Sequence, residues 1–169
     1  MSRRPRVFLD ANVWIRGLTF PRFPYEVLRH AARNEIKAIV SPLVLDSVHL
    51  YIREKFPEHQ AALSALLELL DLEVVPDPPA ERVAAHMDLV RDPKDVPVAL
   101  SAIEAHGQYL VSTDKDLTDV DETTVELRRH LTPRAVGTFL HEVMGWSHEA
   151  LAAIERRRWS DLEHPFWEE

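Results

Sequence analysis

Carboxylates at four separated places in this 169-residue chain stand where they could do chemistry together. Asp10 follows Val7-Phe8-Leu9, a run that reads as a short buried strand. Asp46 lies about one turn past Ser41-Pro42, a helix start. Asp95 ends Asp92-Pro93-Lys94-Asp95, a second helix start. Asp114 and Asp116 follow Tyr109-Leu110-Val111-Ser112, another short strand. Two carboxylates about 4 Å apart repel by roughly 4 kcal/mol at an effective dielectric of 20. No run of Lys or Arg shares these positions. A divalent cation would remove the repulsion. Oxygen donors without Cys or a His spacing suit Mg²⁺ or Mn²⁺ rather than zinc. A carboxylate-held Mg²⁺ activates water and neutralises charge developing on a phosphate.

The acids can meet only if the fold brings them together. Short apolar runs (Arg6 to Asp10, Ile36 to Val40, Glu73 to Val75, Tyr109 to Ser112) alternate with amphipathic stretches (Glu26 to Arg33, Ser41 to Phe56, Gln60 to Leu72, Ala80 to Val90). This alternation predicts an α/β domain, a parallel central sheet sandwiched by helices. Strand ends and helix starts then share one edge, where ligands bind. Asp92 is read as an N-cap before Pro93, with a helix running to His106 and stopping at Gly107 as its C′ residue. Thr132-Pro133 reads as the cap of a helix reaching Met144, and Ser147 to Arg158 as a further helix. Leu43, Leu45, Val48, Ile52, Leu63, Leu66, Leu67 and Leu70 read as core or dimer packing.

Composition narrows the function. There is no cysteine, which excludes disulfide scaffolds, Cys-ligated metals and thiol catalysis. The 4 Gly form neither G-x-G-x-x-G nor a P-loop. Charge stands at 20 Lys+Arg against 28 Asp+Glu, net −8, which argues against coating nucleic acid by charge alone. No apolar stretch approaches the roughly 20 residues of a membrane helix, and the N-terminal apolar run is too short for a signal peptide, so a cytoplasmic protein is expected.

Four motifs in order, V-F-L-D-A-N-V-W, S-P-L-V-L-D-S-V, D-P-K-D-V-P-V-A-L-S-A and L-V-S-T-D-K-D-L, resemble the PIN domain, a metal-dependent ribonuclease fold, over about residues 6 to 144. The resemblance implies that Asp10, Asp95 and Asp114 are metal ligands, with Asp116 an additional acid and Asn12 a polar residue near the site. The family usually has Glu where this chain has Asp46. The shorter side chain implies a contact through water. The resemblance thus implies a Mg²⁺- or Mn²⁺-dependent endoribonuclease with catalytic Asp10, Asp46, Asp95, Asp114 and Asp116. Many relatives are toxins of bacterial toxin–antitoxin pairs. RNA as substrate, a small antitoxin protein as partner and a homodimer follow by the same route.

Residues 1–145 are expected to form the nuclease domain and 146–169 an extension. Arg16 after the first motif, and Arg3, Arg4 and Arg6 before it, are candidates for holding a phosphate backbone. Arg156-Arg157-Arg158 reads as a solvated face. Two rival readings exist. One is a catalytically weakened PIN-like module that binds a partner or RNA without cleavage. The other is an aspartate-nucleophile phosphatase, disfavoured because Asn12 stands where its general acid would be.

Overall fold

The structure is a computed structural model that describes residues 4–169. Five strands, β1 (Arg6–Leu9), β2 (Lys37–Val40), β3 (Glu73–Val74), β4 (Tyr109–Ser112) and β5 (Thr132–Ala135), make one sheet in the order β3-β2-β1-β4-β5. Every pairing is parallel, with Phe8 opposite both Ile39 and Leu110, and Leu110 opposite Pro133. Parallel strands need crossover helices, and those helices cover the sheet. Val7, Phe8, Leu9, Ile39, Val40, Leu110 and Val111 are accordingly fully buried.

Ten helices flank the sheet among the described residues: α1 (Ala11–Thr19), α2 (Phe23–Ala32), α3 (Pro42–Lys55), α4 (Gln60–Leu69), α5 (Ala80–Ala85), α6 (Val96–Glu104), α7 (Lys115–Thr118), α8 (Val125–Arg128), α9 (Val136–Glu142) and α10 (His148–Ile154). A single 3₁₀ turn, Pro93–Asp95, precedes α6. Ser41 caps α3 as its sequence position predicts, its hydroxyl accepting from Val44 N. The buried Trp14 indole donates to Leu9 O at 3.2 Å, which fixes α1 against the strand that feeds it.

Several sequence expectations need correction. Thr132-Pro133 opens strand β5, not a helix. Proline lacks an N–H, but β5 is an edge strand with half its backbone groups unpaired, so Pro133 is tolerated there. The helix expected to reach Val90 ends at Ala85. The helix after Asp95 ends at Glu104, and the left-handed residue beyond it is His106 (φ 56), not Gly107. Gly107 serves close approach instead: a Cβ there would lie 3.1 Å from Ala102 O. Of the apolar set read as core or dimer packing, Val48, Ile52, Leu63, Leu66 and Leu70 are buried, whereas Leu43 is 41% exposed.

The tail packs back on the domain. Trp159 Nε1 donates to Thr19 O at 2.9 Å, and Phe166 N donates to the Tyr25 hydroxyl at 2.9 Å. Arg157 is not part of a solvated face. Its guanidinium donates to Pro21 O at 2.6 Å and pairs with the buried Glu26 carboxylate at 2.7 Å. Its neighbours Arg156 and Arg158 are exposed, as expected.

Candidate metal centre

Asp10 leaves β1 at the carboxyl end of the sheet, and its N–H donates to Val111 O of β4 at 3.1 Å. As N-cap of α1 its Oδ1 accepts from Ala11 N at 2.8 Å, and its Oδ2 accepts from the Ser112 hydroxyl at 2.7 Å. Ser112 Oγ itself accepts from Asp114 N at 3.0 Å. A chain of bonds thus runs from the Asp114 backbone through the fully buried Ser112 to Asp10. Burial pushes the Asp10 carboxyl above its ordinary range, the two hydrogen bonds pull it back, and the Asp114 charge adds to the rise.

Asp114 is held by a local turn, its Oδ1 accepting from Asp116 N at 2.9 Å as the cap of α7. Asp92 caps the 3₁₀ turn as its place before Pro93 predicts, accepting from Lys94 N at 3.0 Å. Asp95 behaves differently. It is the N-cap residue of α6 by position, yet its side chain makes no capping bond. The carboxylate turns toward the other acids, and its Oδ2 is buried with no hydrogen-bond partner. Burial first, then the hydrogen bond and charge of Asp114, then the charges of Asp10 and Asp92, push the Asp95 carboxyl up to about 8.

Asp95 is also the hub of a second grouping. Carboxylate oxygens of Asp92, Asp95 and Asp116 all lie within 4.8 Å of one another. Five acids therefore converge on this edge: Asp10, Asp92, Asp95, Asp114 and Asp116. Among the described residues one cation answers them, Arg91, whose guanidinium pairs with Asp116 Oδ1, Nε at 2.8 Å. Lys94 and Lys115 beside them are exposed and form no ion pair among the described residues. An oxygen-rich, under-neutralised cluster with an unpartnered buried carboxylate oxygen fits a hard divalent cation.

Asp46 is the remaining acid that the sequence put forward. It is exposed on α3 and forms no hydrogen bond or ion pair among the described residues. The charge that raises Asp10 is that of Asp114, and the charges that raise Asp95 are those of Asp114, Asp10 and Asp92. Asn12 is exposed in the first turn of α1, and Arg16 is exposed one turn further on. Arg4 and Arg6 lie at the opposite end of β1 from Asp10. Arg4 bonds Asn34 at 3.1 Å and Asp71 at 3.3 Å, and Arg6 pairs with Glu73 at 2.7 Å, so neither is placed to hold phosphate at the acids. Arg3 lies outside the described residues. Sequence reasoning missed three contributors: Ser112, Arg91, and Asp92 as more than a cap. Ser112 left a signal in its place as a polar last residue of an otherwise apolar strand.

A model of the PIN domain matches residues 6–116. The chain belongs to the PIN domain family. Its residues Asp10, Asp92, Asp95, Asp114 and Asp116 all fall inside that match. No curated protein matches the chain. Among solved structures, this PIN domain is similar to VapBC2 from Rickettsia felis bound to a DNA fragment from their promoter, at 18% identity and a TM-score of 0.53, over 76% of this chain and 97% of that one. It is also similar to PAE2754 from Pyrobaculum aerophilum, at 15% identity and a TM-score of 0.51, over 84% of this chain and 97% of that one. At these identities the likeness shows the shared fold. PIN domains are generally ribonucleases and typically bind divalent metals. No described helix is long and apolar enough to cross a membrane.

Proposed function

We propose that this PIN domain is a Mg²⁺- or Mn²⁺-dependent endoribonuclease that hydrolyses RNA phosphodiesters as the toxin of a toxin–antitoxin pair. The observation that carries the reading is the buried, unpartnered Asp95 Oδ2 among the carboxylates of Asp92, Asp114 and Asp116. Asp10, Asp95 and Asp114 hold the cation, with Asp92 and Asp116 at the rim and Asp46 reaching it at most through water. When bound, the cation supplies Lewis-acid activation of water and offsets charge developing on the phosphate. The chain's own contribution is positioning. Ser112 fixes the Asp10 carboxylate by donating to it, and the Asp116 N–H fixes Asp114. Arg91 holds Asp116 until a stronger cation or a phosphate competes for either partner.

The partner assignments draw on different support. The Rickettsia felis VapBC2 likeness supports a small antitoxin as partner. A homodimer is supported by exposed Leu43 and Leu50, seven residues apart on one face of α3, with exposed Tyr51 beside them. We assign the catalytic unit to residues 1–145 and regard 146–169 as an extension tied to α1 and α2. The exposed Asp46 favours one rival, a weakened module that binds without cleaving.

The test is thermal unfolding of wild type and Asp10→Asn with and without millimolar Mn²⁺, followed by an RNA-cleavage assay. A Mn²⁺-dependent rise in wild type that the variant lacks, with cleavage only by wild type, is the expected result. Undiminished cleavage by folded Asp10→Asn would overturn the site assignment. A metal shift without cleavage would favour the weakened module.

A further inference from the structure

Next to the carboxylates the surface opens into a cleft of about 480 Å³ whose lining includes Arg16, Phe20, Arg22, Phe23, Ser112 and Thr113. That volume falls in the range of small-ligand sites. Ser112 makes the cleft continuous with the acids, since the same residue lines the cleft and donates its hydroxyl to Asp10. Thr113 then leads directly into Asp114.

The cleft carries the chemistry that the acids lack. Arg16 is exposed, and its guanidinium has no hydrogen-bond or ion-pair partner among the described residues. Arg22 lies with its guanidinium carbon 5.2 Å from the centre of the Phe20 ring, and only its Nε is engaged, donating to Arg157 O at 3.2 Å. Phe23 is half-buried, and its place depends on Gly137: a Cβ there would approach the ring to 3.2 Å. The cation beside the acids, Arg91, is already committed to Asp116. On a chain of net charge −8, an approaching polyanion finds two guanidinium groups that no carboxylate pairs with among the described residues, Arg16 and Arg22, and apolar rings together on the cleft side.

We propose that this cleft seats the nucleotide flanking the scissile phosphate of single-stranded RNA. One base stacks on Phe23, and Arg16 and Arg22 hold the neighbouring phosphodiester. The inference rests on the nuclease reading and deepens it by naming the residues outside the acids that seat the substrate. Stacking on phenyl rings reads no base-edge pattern, so recognition here is tolerant of sequence. A paired base cannot be splayed into a cleft without unstacking, so duplex RNA is disfavoured.

The test uses the intact chain without divalent metal and a fluorescently labelled single-stranded RNA of about ten nucleotides, a length typical of such sites. Binding is followed by anisotropy at low salt. Phe23→Leu is expected to weaken binding about tenfold, in keeping with the loss of one base–aromatic stack, and Phe23→Trp to restore it. Arg16→Glu, an exposed change that leaves the core untouched, is expected to weaken binding and to reduce its salt dependence by about one ion. A hairpin of the same composition should bind less tightly than the single strand. Wild type that fails to bind, or Phe23→Leu and Arg16→Glu that both bind like wild type, overturns the inference. Cleavage with Mn²⁺ is read separately. Binding through the cleft without cleavage by wild type sinks the nuclease reading while leaving the cleft an RNA site. Cleavage with the same KM in wild type and both variants sinks the cleft while leaving the nuclease.

Discussion

Two buried acids in this molecule have opposite surroundings. Glu26 on α2 is 3% exposed, and Arg157 meets one of its carboxylate oxygens at 2.7 Å while Arg29 meets the other at 3.5 Å. Asp95 has a buried oxygen with no donor at all, and its nearest charges are other carboxylates. The first acid carries its own cations and serves the fold, pinning the C-terminal tail to α2. The second is left with a deficit that a proton relieves and that a cation from outside can fill. The difference teaches how to separate structural from functional carboxylates: burial is common to both, and the sign of the neighbours decides.

The comparison breaks most visibly at the metal side. Asp95→Asn should lower kcat/KM for RNA cleavage at least about 100-fold, equivalent to about 2.7 kcal/mol of transition-state stabilisation. Arg157→Ala should leave the acids as they are and instead destabilise the fold by about 3 kcal/mol, because Glu26 loses its best partner while buried. Urea unfolding measures it, and the loss should be the same with and without Mn²⁺.

Mn²⁺ at 100 times its Kd should stabilise wild type by about 2.7 kcal/mol, read as a rise in Tm of about 5 to 10 °C. Asp95→Asn should lose this rise and Arg157→Ala should keep it. A rise that survives in Asp95→Asn would show that the unpartnered carboxylate is not where the cation binds.

A further effect concerns pH without metal. The Asp95 carboxyl is pushed from 3.8 up to about 8 in the folded chain, so folding favours its protonated form. Its contribution to stability is present at low pH and is lost as pH rises from about 4 to about 8. Wild type should therefore lose stability relative to Asp95→Asn across that window in EDTA, and the gap should close or invert when Mn²⁺ is added. The smallest expected effect is at Asp46. Asp46→Ala should change the Mn²⁺-induced shift in Tm by no more than about 1 °C, since a solvent-exposed carboxylate that reaches the cation at most through water contributes little.

Much of the site was legible in the chain because of how parallel sheets are built. Asp10 and Asp114 each follow an apolar run, and in a parallel α/β sheet such positions share one edge with the starts of the helices. Asp92 before Pro93 announced its cap. Asp46 shows where that logic thinned. It lies near a helix start, but Val44, Val48 and Ile52 at four-residue spacing form the buried stripe of α3, and Asp46 sits about half a turn away from it. The same spacing was present in the sequence and points Asp46 to solvent. Strand β5 was hidden for another reason: Pro133 speaks against a strand locally, and only its place at the sheet edge makes it harmless.

The order of short strands and capped helices, the edge that collects the acids, and the excess of carboxylates over local cations were determined by the sequence itself, since they follow from periodicity, caps and charge. Tertiary packing alone decided which way each carboxylate turned. Asp95 gave up its capping bond to face Asp114, Arg91 crossed to Asp116, and Arg157 reached Glu26 from 131 residues away. Such choices depend on distances between elements remote in the chain, and a sequence records no distance until the core has closed around it.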